Sequence, residues 1–272
     1  MNHPIVKIVQ DTGCQSYVVG CPETRQALLV DPKVGRKETI RDVCARFGLT
    51  PVAVVDTHTH ADHLSDSVAF LNDGLTLYMG ARTACRRDLK RVKKDDAVAV
   101  GSLEFRVAEV PGHTDDSIAL IGHGVAIAGD TLLVGGLARA DFLGSDPAVL
   151  WESVRDVFLA LPDETVVLPG HDYRDLPFTT IAAEKAANPA LRFASGPEYA
   201  ESVGAVPGAG NTPEVDAMLA ANLEETPDLP DSPRAVVACC GSGEAGGMAP
   251  REAEESPAEL ADRREEFCSR GA

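Results

Sequence analysis

The sequence predicts a layered α/β fold, on three observations. Short β-branched runs bounded by turn residues fill its first half. Stretches with helical apolar spacing are interleaved with them. Several strand runs are apolar at every position, which marks a sheet buried on both faces. With 272 residues, 44 % of them hydrophobic, the chain can bury a sizeable core in one large domain or two small ones.

The elements follow in order. Residues 5–9, 16–20 and 27–30 read as strands, separated by Asp11, Gly13 and the Asp31-Pro32 pair. Residues 37–47 read as a helix: Ile40, Val43, Cys44 and Phe47 share one face, and Gly48 supplies the stop. Residues 52–55 are a continuous apolar strand, and further strands are expected at 75–79, 103–110, 117–121 and 125–128. Asp146-Pro147 is an N-cap followed by proline at the first helical position, opening a helix whose apolar face includes Leu150, Val154, Val157 and Phe158. Residues 165–168 form another buried strand, and 179–187 a helix that ends before Asn188-Pro189. Beyond Ser195, Gly, Pro, Ala and Glu become frequent. The expected division is a catalytic domain over 1–195, an extension over 196–240 and a flexible tail over 241–272, with a transient helix at 256–267.

Charge and cysteines narrow the partners. A formal net charge of -17 repels phosphate backbones and anionic membranes, so neither nucleic acid nor a membrane is an expected partner. No run approaches the length of a membrane helix, and residues 1–10 do not read as a secretory leader. Seven cysteines at irregular spacing do not make a disulfide framework, which suits a reducing cytoplasm. Cys14 is expected to be a strand-edge cysteine, and the pair Cys239-Cys240 structural.

Chemistry concentrates at strand ends. Asp56-Thr-His58-Thr-His60-Ala-Asp62-His63 follows the strand at 52–55. Pro111-Gly-His113, Gly129-Asp130 and Pro169-Gly-His171 each follow a strand and set a possible ligand beside a glycine that permits a sharp turn. Imidazole and carboxylate are ligands that Zn, Fe and Mn accept. Five of the seven histidines fall in these contexts; His3 and His123 do not, and read as ordinary terminal and turn residues.

This pattern resembles the metallo-β-lactamase superfamily over roughly residues 5 to 193. The resemblance implies a four-layer αββα sandwich with a metal site at one edge and, here, a C-terminal extension. Two branches share the ligands. Glyoxalase II proteins, which cleave glutathione thioesters, usually carry Gly-Cys-Gly-Lys/Arg and then an aromatic residue with Glu-Gly after the bridging aspartate. Persulfide dioxygenases of the ETHE type carry Arg-x-Asp-Phe. Arg139-Ala-Asp141-Phe142 is similar to the second pattern. Asn188-Pro-Ala-Leu191 and Ala220-Ala-Asn222-Leu223 also resemble segments of that branch, and His171-Asp-Tyr173 is common to both.

The dioxygenase resemblance implies one Fe(II) per chain held by His58, His113 and Asp130, a facial set that leaves positions open for O2 chemistry. The substrates would be O2 and a glutathione persulfide or similar low-molecular-weight persulfide, and the products sulfite and thiol. His60, Asp62, His63 and His171 would orient the ligands. Arg139 would clamp the substrate carboxylate or the persulfide anion, or else form a structural ion pair with Asp141; Tyr173 would donate its hydroxyl or simply pack over the metal edge. In the hydrolase alternative, Zn or another metal fills a dinuclear site: His58, His60 and His113 hold one ion, Asp62, His63 and His171 the other, and Asp130 bridges them. A scaffold with a vestigial site is disfavoured because no ligand position is missing. Related proteins are often dimers, so the resemblance extends to a homodimer. The chain departs from the family at Thr114-Asp-Asp116-Ser117, where Thr-Pro-Gly is usual, at Ser65-Asp66, where a Thr-Gly step is common, and at Gly136-Leu-Ala138, where Gly-Cys-Gly is common. The added carboxylates are expected near the pocket mouth, where they would bear on recognition of an anion.

Overall fold

Strands apolar on both faces require cover on both sides, and the computed structural model, which describes residues 3–204 and 211–224, supplies it. The first sheet contains β1 (Ile5–Asp11), β2 (Cys14–Gly20) and β3 (Gln26–Val30). It continues after α1 (Lys37–Arg46) with β4 (Thr50–Val55) and, after α2 (Ser67–Asn72), with β5 (Thr76–Gly80) and β6 (Lys90–Val92), all in chain order. The second half provides β7 (Ala97–Val100), β8 (Leu103–Glu109), β9 (Ile118–Gly122) and β10 (Val125–Gly129), then the small ribbon β11 (Leu132–Leu133) and β12 (Gly136–Leu137). α3 (Pro147–Ser153), β13 (Val166–Pro169), β14 (Thr179–Thr180), α4 (Ile181–Ala187), α5 (Gly196–Val203) and α6 (Pro213–Leu223) complete it. The second sheet has the order β14-β13-β10-β9-β8-β7.

Alternation along the strands makes the layers. In β2, Tyr17 and Val19 enter the cluster between the sheets, while Val18 points to the cluster under α1 and α2. β3 does the same with Leu28 and Val30 against Ala27 and Leu29. In β10, Val125 and Ile127 meet the first sheet, and Ala126 and Ala128 face Val154, Phe158 and Ile181. Each fully buried Leu, Val or Phe stabilises the fold by roughly 1.5–3 kcal/mol. The result is the expected αββα sandwich. Among the described residues no helix is long and apolar enough to cross a membrane.

Local chemistry sets the boundaries. Asp146 caps α3 by accepting from Ala148 N at 2.8 Å and Val149 N at 3.1 Å. α3 then passes into a π-helical turn over Val154–Phe158, so one helical stretch carries the apolar face expected from the sequence. The helix expected from 179 begins at Ile181, because Thr179 and Thr180 pair with Val167 and Val166 instead. Past Ser195 the described residues form two capped helices. Ser195 caps α5, whose Tyr199 packs with Trp151 and Ala190, and Thr212 caps α6. Cys239, Cys240, the tail and the helix expected at 256–267 lie outside the described residues.

Candidate metal centre

Four strand ends deliver the candidate ligands: His58 after β4, His113 after β8, Asp130 after β10 and His171 after β13. The turns that allow this are sterically exact. Gly112 has φ +136, and a Cβ there would collide with the Leu150 backbone. Gly170 approaches Asp130 so closely that a Cβ would strike its carboxylate.

Ligand atoms of His58, His113 and Asp130 lie within 4.8 Å of one another, all three residues buried. Asp130 Oδ2 is 3.9 Å from His58 Nε2 and 3.7 Å from His113 Nε2. The far nitrogens are anchored. His113 Nδ1 donates to the Arg139 carbonyl at 2.8 Å. Thr57 Oγ1 gives its proton to Asp31 Oδ2 at 2.8 Å, so it accepts from His58 Nδ1 at 2.9 Å. Both rings therefore present Nε2 toward the carboxylate, and His58 Nε2 is buried without a hydrogen-bond partner. Burial and the adjacent His60 push His58 well below its ordinary pKa, which keeps it neutral. Burial opposes charge on Asp130, but His171, His113 and His58 outweigh it and hold the carboxyl well below the usual range. An orphaned, neutral imidazole facing an ionised carboxylate and a second imidazole fits a divalent metal ion.

The other expected residues divide. His171 lies between two carboxylates, with Nδ1 2.8 Å from Asp130 Oδ1 and Nε2 3.0 Å from Asp62 Oδ2. Burial resists its charge, yet Asp130 and Asp62 raise it well above its ordinary value. His63 Nδ1 is 3.1 Å from Asp62 Oδ1; burial opposes its charge too, and Asp62 outweighs burial to raise it to about 10. His60 Nε2 lies 3.3 Å from Asp31 Oδ1, in a buried group that includes Asp56. Its ring still lies edge-on to His58 at 4.3 Å. Tyr173 stacks on His171 at 5.2 Å and is 56 % exposed. Arg139 Nε donates to Asp141 Oδ1 at 2.6 Å, and the guanidinium lies 5.7 Å over Phe142.

Four positioning residues carried no clear signal. Cys14 opens β2 at the strand edge, as expected, but it also reaches the site. Gln15 N donates to Gly170 O and Asp172 N to Gly13 O, both at 2.8 Å, which sets Cys14 Sγ 3.4 Å from Asp62 Oδ2. Asp31 holds Thr57 from below. Asp116 corrects the expectation of carboxylates at the pocket mouth. It is buried and accepts from Thr59 N at 3.2 Å, Thr59 Oγ1 at 2.6 Å and Thr114 Oγ1 at 2.7 Å, tying the two ligand loops together. Its neighbour Asp115 pairs with Arg82 at 3.0 Å. Asn222 in α6 donates to His60 O at 2.9 Å and His63 O at 2.8 Å, and accepts from Ser65 N at 3.0 Å. The similarity of 220–223 to a closing segment was its one signal.

Comparison with known proteins agrees with this geometry. The family model of the metallo-beta-lactamase superfamily matches residues 86–171. The mitochondrial persulfide dioxygenase ETHE1 of Homo sapiens is 29% identical over 180 residues, covering 65% of this chain and 70% of that protein. Hydroxyacylglutathione hydrolase of Xanthomonas campestris pv. campestris is 36% identical over 151 residues, covering 54% of this chain and 57% of that protein. The crystal structure of ETHE1 from Myxococcus xanthus superposes with a TM-score of 0.74 at 35% identity, covering 80% of this chain and 97% of that one.

Proposed function

Since the chain belongs to the metallo-β-lactamase superfamily, in its ETHE1-type branch, we propose that it is a persulfide dioxygenase using one iron ion. Its substrate would be glutathione persulfide or a similar small persulfide. The outer sulfur takes oxygen from O2 and water and leaves as sulfite; the inner sulfur leaves as the thiol. One segment supports the reading: Arg139-Ala140-Asp141-Phe142 carries the Arg-x-Asp-Phe pattern of the dioxygenase branch, and its first carbonyl and last ring both meet His113, which joins His58 and Asp130 in one cluster.

Iron held by His58, His113 and Asp130 would supply the electrons and open positions that O2 chemistry needs. The chain's own groups do the rest. Thr57 and the Arg139 carbonyl fix the two rings in the tautomer that offers Nε2. His171 pins Asp130 Oδ1 and leaves Oδ2 toward the rings. Asp141 holds Arg139 beside Phe142, which packs edge-on to His113 at 5.1 Å. The guanidinium over Phe142 would then bind the anionic substrate. Tyr173 covers His171. Cys14, Cys21, Cys44 and Cys85 are unpaired thiols, in keeping with a reducing cytoplasm as the proposed compartment.

The test is oxygen uptake. Protein loaded anaerobically with Fe(II) and given glutathione persulfide should consume O2 and release sulfite in equal amounts. No uptake by iron-loaded protein would overturn the reading. The second reading, a dinuclear thioester hydrolase, is favoured by the full complement of ligand residues, and predicts thioester cleavage by zinc-loaded protein.

A further inference from the structure

We propose that Glu184 is a positioning residue for the site: from α4 it pins the tip of the β11–β12 ribbon, and so sets where Arg139 stands relative to Asp130. The inference rests on the reading of Arg139 as the group that binds the anionic substrate. The ribbon pairs Leu132 with Leu137 and Leu133 with Gly136. Ala138 N donates to Thr131 O at 3.4 Å, which carries the same register one step further. Asp130 and Arg139 are the next pair in that register, at the open end of the ribbon. There Asp130 belongs to the cluster with His58 and His113, and the Arg139 carbonyl accepts from His113.

A two-stranded ribbon this short is marginal by itself, so its aim depends on what holds its tip. Glu184 is only 2 % exposed. Burying a carboxyl group is costly unless its oxygens accept hydrogen bonds, and each oxygen of Glu184 accepts two. Oε1 takes Gly135 N at 3.1 Å and Thr179 Oγ1 at 2.8 Å. Oε2 takes Gly135 N at 3.0 Å and Asn188 Nδ2 at 2.7 Å. Asn188 Nδ2 also donates to Gly136 O at 3.2 Å. Arg174, three residues after His171, donates from Nη2 to Gly135 O at 3.3 Å. Gly135 has φ +66, and a Cβ there would stand 2.6 Å from Arg174 Nη1, so the tip needs a glycine to admit its partners. α4 is itself fixed to the second sheet by Ile181, which packs with Ala126 and Ala128 of β10. Through Glu184 the tip is thus tied back to the strand that delivers Asp130.

Hydrogen–deuterium exchange on the full chain reads the clamp, and steady-state kinetics on iron-loaded protein reads its consequence. Glu184→Leu keeps the buried volume but leaves Gly135 N without its acceptor. The amides of 131–139 should then exchange about 10-fold faster. KM for glutathione persulfide should rise about 10-fold, while kcat changes by less than about 2-fold. Glu184→Gln should restore both, because its oxygen can accept from Gly135 N and Asn188 while its amide donates to Thr179 Oγ1. Asn188→Ala keeps Glu184 and should move both readouts the same way by a smaller factor, which covers the case of a Leu variant that does not fold. Unchanged exchange, or faster exchange with KM unchanged, overturns the proposal; so does a loss confined to kcat, which would mark a general structural role. Wild-type protein that consumes no O2 would sink the proposed activity alone. Exchange needs no turnover and still decides whether Glu184 holds the ribbon, and KM is then read on a glutathione thioester with zinc-loaded protein.

Discussion

Asn222→Ala tests whether the C-terminal helix α6 organises the metal loop. The Asn222 amide makes three buried hydrogen bonds, to His60 O, His63 O and Ser65 N. At about 1 kcal/mol for each neutral bond, their loss removes roughly 3 kcal/mol, and more where the loop carbonyls stay dry. For a domain of this size that lowers the melting temperature by roughly 6–12 °C. The same loop carries His58, so iron affinity should also fall, by about 10–100-fold as for other groups that orient ligands. Asn222→Asp is the sharper control. It is isosteric and keeps the acceptor for Ser65 N, but it turns a carboxylate oxygen toward two carbonyls. It should be at least as damaging as alanine. The assays are thermal melts with and without Fe(II), and iron binding by competition with a chelator. Wild-type melting and iron affinity in both variants would refute the idea that Asn222 holds the loop.

Three further outcomes follow from the geometry. His113→Ala should abolish iron binding and turnover together, measured as iron retained after desalting; full occupancy would remove His113 from the ligand set. Arg139→Ala should raise KM for the persulfide with little change in kcat, because the guanidinium would bind the anion while the Arg139 carbonyl still holds His113; an unchanged KM would leave its bond to Asp141 as a structural pair. Asp11→Asn should destabilise by roughly 0.5–1 kcal/mol at neutral pH. Burial raises the Asp11 pKa, but Arg36 and Lys33 outweigh burial and lower it. A lowered folded pKa gives stability that is present above the unfolded value and lost as pH falls through the folded one. The gap in melting temperature between wild type and variant should therefore close below about pH 4, and a gap that persists in acid would refute the ion-pair account.

The layers were legible because apolar alternation is a local property. Val52–Val55 reads as a doubly buried strand, and Val54 and Val55 do face opposite clusters. β6 and β7 escaped notice because Lys90–Val92 and Ala97–Val100 are short edge strands with exposed alternate positions. The cluster of candidate ligands was legible for a similar reason: each member stands immediately after a strand, beside a glycine or within one compact sequence group. Their partners were not. Cys14 and His171 are 157 positions apart and meet because β2 pairs across to the His171 turn. Asn222 reaches the loop at 60–63 from about 160 residues away. Such contacts are fixed by the closed sandwich, and a single sequence contains no periodicity that encodes them. Asp116 shows the converse. Its position after His113 was visible, but only burial reveals that it binds Thr59 and Thr114 rather than facing substrate.

The segment Arg139-Ala140-Asp141-Phe142 gains a physical meaning from its contacts. Its first carbonyl accepts from His113 Nδ1, its last ring packs edge-on against the same imidazole, and its guanidinium lies over that ring while Asp141 fixes the guanidinium. One four-residue stretch therefore sets the tautomer of a candidate metal ligand, limits its tilt and holds a cation over the ring that packs against it. A different segment here would change all three at once. Ligand orientation and anion binding are thus coupled through the backbone, and the choice of chemistry in this fold can turn on four residues that are not themselves metal ligands.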